Sequence, residues 1–125
     1  MQVRVWKIDV PAVMAQLRAW AERLCANDDR VLAVVLFGSL ARGDATARSD
    51  ADVLLLLEET DLPFDRRLVH YRPLGMPVPV EVFPYTRSEA GRMLREGWGM
   101  AVPAAREGVV LAEKDGAWSR LVAPA

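Results

Sequence analysis

The chain has 125 residues, is 52 % hydrophobic and 26 % charged, and carries a formal net charge of −1, which suits a single globular domain over residues 1–125. Without a global basic field, nucleic acid held by phosphate neutralisation is not favoured. One cysteine, Cys25, and one histidine, His70, exclude an intrachain disulfide, a cysteine-based zinc site and a multi-histidine metal centre.

Residues 2–6 (QVRVW) put Val3 and Val5 on one side and predict a first or edge strand. The opening MQVRVWKIDV has no apolar h-region and no small-residue cleavage site, so no signal peptide is expected. Residues 10–26 read as a helix, with Asp9 as cap and Pro11 in the first turn, where its missing N–H matters least. Val13, Leu17, Trp20 and Leu24 recur at helical spacing, Arg18, Glu22 and Arg23 lie mostly opposite, and Cys25 falls beside the apolar stripe as core packing. Asn27, Asp28 and Asp29 supply turn chemistry.

Residues 31–37 (VLAVVLF) predict a buried central strand that Gly38 ends, with a short helix over 39–47. Residues 51–58 (ADVLLLLE) predict a second buried strand. These apolar runs are far too short to span a bilayer, and a cytoplasmic location is expected by default. The stretch 59–77 is the least legible: it carries Pro63, Pro73 and Pro77, has room for a short helix near 64–71, and its Arg66, Arg67, His70 and Arg72 are expected at the surface. Residues 78–83 (VPVEVF) predict a strand with Val78, Val80 and Val82 on one side and Glu81 and Phe83 on the other; Pro79 and Pro84 push it to an edge. Thr86 and Glu89 form a capping box for a helix to Glu96, with Gly97 as its stop. A short helical piece near Pro103, a strand over 109–112 and a hairpin through Asp115-Gly116 to 117–121 complete the reading. Trp20 is expected in the core, and Trp98 and Trp118 are candidates for an exposed interaction surface. The fold class is α+β.

The chemistry concentrates in residues 37–57. Asp50 and Asp52, two apart at the start of a strand, point to the same side. Carboxylates beside an apolar run are costly unless something offsets their desolvation, and a metal ion is the usual partner. Magnesium takes hard oxygen ligands and is typically held by one or two carboxylates. Glu81 has the parity to reach the same face if its strand lies beside 51–58, and three carboxylates suit two metal ions roughly 3.5–4 Å apart. Gly38 and Ser39 sit where a buried strand turns towards a helix: glycine admits a phosphate close to the backbone, and the serine hydroxyl and following amides point at it.

The segment GSLARGDATARSDAD (Gly-Ser, ten residues, Asp-x-Asp) resembles the DNA polymerase beta-like nucleotidyltransferase superfamily. The fuller GSxARG and SDxD form is similar to its minimal nucleotidyltransferase (MNT) branch, small proteins often encoded beside a HEPN-domain partner as toxin–antitoxin pairs. The likeness covers residues 31–84, and the capped helix after PYTRSE and the late REGVVLAE stretch are also similar. It implies the nucleotidyltransferase fold, a small mixed β-sheet flanked by helices. It further implies that Gly38 and Ser39 bind the triphosphate, that Asp50 and Asp52 hold the metals and that Glu81 is the third acid. Many members have Asp at that third position. The implied activity is magnesium-dependent transfer of AMP from ATP to a hydroxyl on a partner protein, such as a tyrosine of a HEPN toxin, in an antitoxin role.

Other readings stand beside this one. Asp50 and Asp52 alone would pass for solvated turn residues, and Glu81 for an exposed residue on an edge strand. Arg42 either touches a phosphate or pairs with Asp44 or Asp50, and Ser49 orients the Asp loop beside the nucleotide site. The whole domain could be a non-catalytic nucleotide-binding module that neutralises a partner by docking. Transfer to a small molecule such as an aminoglycoside is a third option, against which stands the absence of a second substrate domain. A homo-oligomer is left open.

Overall fold

Element formation follows the polarity pattern, and its departures come from local stops and from tertiary partners. The structure, a computed structural model, describes residues 9–46 and 49–123; the strand expected at 2–6 lies outside them. Helix α1 spans Val10–Asn27. Asp9 accepts from the Ala12 amide at 3.1 Å, and Val13, Leu17, Ala21 and Cys25 form its buried stripe. Trp20 is only partly buried against that cluster. Strand β1, Val31–Phe37, is followed by a single helical turn, α2, Ser39–Arg42. The helix expected over 39–47 stops there because Gly43 turns left-handed (φ 83°) and its amide returns to the Ser39 carbonyl.

Strand β2, Ala51–Leu57, leads to helix α3, Phe64–Tyr71, and strand β3, Val80–Thr86. The last begins later and runs further than the predicted 78–83, with Pro84 inside it. The Ala51 amide donates to the Pro79 carbonyl at 2.8 Å. The alternation along the strand then turns Pro84 to the free edge, where its missing N–H breaks no ladder bond. Helix α4, Arg87–Glu96, has both capping-box bonds between Thr86 and Glu89 and ends at Gly97 (φ 75°). Helix α5 spans Ala101–Glu107 and strand β4 Val109–Glu113.

The expected hairpin over 115–121 does not form. Residues Ala117–Val122 are helix α6. Asp115 and Gly116 do adopt the left-handed conformations of a tight turn. Beyond it, Glu113 accepts from the Trp118 and Ser119 amides at 3.1 Å each and from the Ser119 hydroxyl at 2.7 Å. That satisfies the first amides of a helix, and Trp118 is buried rather than exposed. Trp98 is about half exposed, 51 %.

The four strands form one mixed sheet in the order β3-β2-β1-β4, with β1 antiparallel to both neighbours and β2 parallel to β3. Because β1 and β2 are central, alternate side chains feed two apolar layers. Val31, Val34, Val53, Leu55 and Leu57 pack with α1, Leu40 and Tyr71. Ala33, Val35, Phe37, Leu54 and Leu56 pack with Tyr85, α4, α5 and Trp118. Each buried leucine or valine contributes about 1.5–3 kcal/mol.

Within 59–77, Arg67 is buried, contrary to the surface expectation. It donates to the Leu62 carbonyl at 2.8 Å, the Pro84 carbonyl at 3.1 Å and the Glu89 carboxylate at 2.7 Å. This binds α3 to the outer edge of β3. Among the described residues, no helix is long and apolar enough to cross a membrane.

Candidate active site

The antiparallel β1–β2 pair brings the end of β1 beside the start of β2, and the parallel β2–β3 pair brings the start of β3 to the same end. Phe37, Asp52 and Glu81 therefore stand in one row across the sheet, as direct register partners. Their face is the one covered further along by α4, α5 and α6. Phe37 and Phe83 pack with ring centroids 5.6 Å apart and give the carboxylates an apolar floor.

That floor explains the electrostatics of Asp52. Desolvation by burial raises its pKa most, Glu81 and then Asp50 raise it further, Arg42 opposes, and Glu107 adds a smaller rise. An anion-rich spot with hard oxygen donors and too little positive charge suits a divalent cation in kind. Among the described residues, however, no three His, Cys, Asp or Glu side chains are gathered around one point. Asp50 and Glu81 are exposed while Asp52 is half-buried.

Gly38 sits against this row. It is buried, with φ 82° and ψ −158°, a conformation that L side chains rarely adopt, and a Cβ there would run into the Asp52 carboxylate. The glycine thus leaves room beside the acid. Its amide is already committed: it donates to Glu107 Oε1 at 3.1 Å. Ser39, half-buried, accepts the Gly43 and Asp44 amides at its carbonyl, and among the described residues its hydroxyl has no protein partner. Ser49 Oγ accepts the Thr46 amide at 2.8 Å, and the Ser49 amide returns to the Thr46 carbonyl at 3.0 Å. These two bonds close the loop just before Asp50; Ala47 and Arg48 inside it lie outside the described residues.

Arg42 takes the structural partners anticipated for it in part. Its Nε donates to Asp44 at 3.2 Å, and its Nη1 donates to Glu107 at 3.0 and 3.2 Å. No bond to Asp50 is made among the described residues. Glu107 was not singled out from the sequence. Its local signal, a Glu before Gly at a helix end, is common, and only the β4–β1 pairing carries it to Gly38. On the opposite flank, a groove of about 460 Å³ between α3 and β3 includes Phe64, Leu68, Arg72, Val80 and Phe83 in its lining, together with Glu81 itself.

Residues 17–90, more than half of the chain, match the family model described as a nucleotidyltransferase domain. A candidate nucleotidyltransferase from Sulfolobus solfataricus superposes with a TM-score of 0.59 at 17 % identity, over 85 % of each chain. A toxin–antitoxin structure with AMP-PNP superposes with a TM-score of 0.51 at 13 % identity, over 87 % of this chain and 80 % of that one. At such identities the likeness is one of fold. No curated protein matches the sequence.

Proposed function

Because the chain belongs to the nucleotidyltransferase domain family, we propose that it moves a nucleoside monophosphate, AMP from ATP, onto a hydroxyl of a partner protein. The observation that carries this reading is the shared register of Asp52 and Glu81 across β2 and β3, with the Gly38 turn against Asp52. Asp50, Asp52 and Glu81 would hold magnesium. When bound, magnesium offsets charge on the triphosphate and lowers the pKa of an attacking hydroxyl.

The residues divide the work by flank. On the β1 side, the Ser39 hydroxyl, the Leu40 and Ala41 amides and Arg42 hold the triphosphate. On the β3 side, the acceptor hydroxyl enters along the groove that Glu81 shares with Phe64 and Leu68. Its oxygen bonds to the α-phosphorus as the bond from that phosphorus to the bridging oxygen breaks. The electron pair leaves with pyrophosphate, and the acceptor proton passes to Glu81. Ser49 keeps the loop before Asp50 closed.

The partner is proposed to be a HEPN-family toxin, neutralised in the cytoplasm. The fold likeness to a toxin–antitoxin structure supports that choice. The exposed apolar side chains Phe64, Leu68, Val69 and Leu74 favour a second reading, in which docking alone neutralises the partner. One experiment separates the two: incubation with α-labelled ATP, magnesium and the product of the neighbouring gene. Label on the partner, lost in Asp50→Asn/Asp52→Asn with the fold kept, is the expected result. No label under conditions where the two proteins bind, or full neutralisation by the double variant, would favour docking.

A further inference from the structure

Glu107 belongs to none of the roles assigned so far, yet its carboxylate reaches both ends of the nucleotide turn. It accepts from the Gly38 amide at 3.1 Å and from Arg42 Nη1 at 3.0 and 3.2 Å, and its side chain is only 23 % exposed. Continuing the register of Leu36 opposite Val109 by two residues brings position 107 opposite Gly38. The side chain therefore extends the β1–β4 ladder beyond its last backbone pair.

We propose that Glu107 is a positioning residue that clasps the Gly38–Arg42 turn, so that Ser39 and Arg42 meet the triphosphate in a fixed geometry; this rests on the nucleotidyl-transfer reading of the site. Two features argue for a clasp. Glycine reaches the Gly38 conformation (φ 82°, ψ −158°) without strain but has many others open to it, and the bond from its amide to Glu107 selects this one. Arg42 is gripped by Asp44 at Nε and by Glu107 at Nη1, which fixes the guanidinium and leaves Nη2 unbonded among the described residues. The opposing possibility is that the carboxylate occupies donors a phosphate would otherwise take. The direction of the Gly38 amide speaks against it: that N–H points along the sheet towards β4, whereas Asp52 and Glu81 rise from the sheet face.

The two possibilities have opposite signs in nucleotide affinity. Calorimetric titration with magnesium and ATP should show Glu107→Ala weakening binding about tenfold. Glu107→Gln, whose amide oxygen still accepts, should stay within roughly threefold of the wild type. Arg42→Ala/Glu107→Ala should bind no more than about twofold worse than the weaker single variant, since the two residues act together. Amide exchange at Gly38 should accelerate in Glu107→Ala while Val34–Leu36 keep their protection. Tighter binding in either Glu107 variant, or unchanged affinity and unchanged Gly38 exchange in Glu107→Ala, would overturn the proposal. A wild-type chain that does not bind ATP with magnesium would instead refute the transfer reading, and the Gly38 exchange would still decide the clasp.

Discussion

Asp52 stands between an apolar floor and two like charges, so folding works against its ionised form. Its folded pKa lies above the ordinary aspartate value, by burial first and then by Glu81 and Asp50. An acid with a raised folded pKa lowers stability at neutral pH, and that loss fades as pH falls through the folded pKa. Asp52→Asn should therefore raise the Tm of the metal-free protein by a few degrees at pH 7, with the gain shrinking towards pH 4, while abolishing transfer. Thermal melts across pH check both. Gly38→Ala should do the reverse, because its Cβ meets the Asp52 carboxylate and its φ is positive. A loss of about 1–3 kcal/mol by denaturant titration is expected.

Helix α3 is held by Tyr71 in the core and by Phe64 stacked on Tyr85, and its polar attachment runs through Arg67. Arg67 alone ties it to Leu62, Pro84 and Glu89. Arg67→Ala should cost about 2–3 kcal/mol, less than breaking a fully buried pair because Glu89 keeps some solvent. Burial works to raise the Glu89 pKa, but hydrogen bonds from Arg67 and Thr86 outweigh it and the net shift is downward. The stability Glu89 contributes is thus present above the ordinary glutamate pKa and lost as pH falls through the lowered one. The difference in stability between wild type and Arg67→Ala should narrow in acid, the opposite sign to Asp52→Asn.

Across the fold, the carboxylate row and the Gly38 turn are expected to act as one ligand site. Magnesium with ATP at a hundred times its Kd should stabilise the fold by about 2.7 kcal/mol. Asp50→Asn/Asp52→Asn should lose that stabilisation while keeping the metal-free Tm at or above the wild-type value. A melt with and without nucleotide decides it.

Much of this was legible from local pattern. The β1 and β2 runs, the Asp9 and Thr86 caps and the Gly97 stop depend on neighbouring residues, and period-two alternation gives Glu81 the parity to share a face with Asp52 if their strands are neighbours. Other features depend on partners far along the chain. The hairpin reading of Asp115-Gly116 failed because Glu113 caps a helix that buries Trp118. Pro84 is tolerated within β3 because parallel pairing turns it outward, and Arg67 is buried because that same edge offers it a carbonyl. Local propensity and periodicity thus suffice for most of the elements and for nominating the candidate acids, but not for α6 or for the bounds of α2 and β3. The parallel run of β3 beside β2, which makes Asp52 and Glu81 neighbours, and the approach of Glu107 to Gly38 beside β4 come from strand pairing, which joins residues that no local pattern relates.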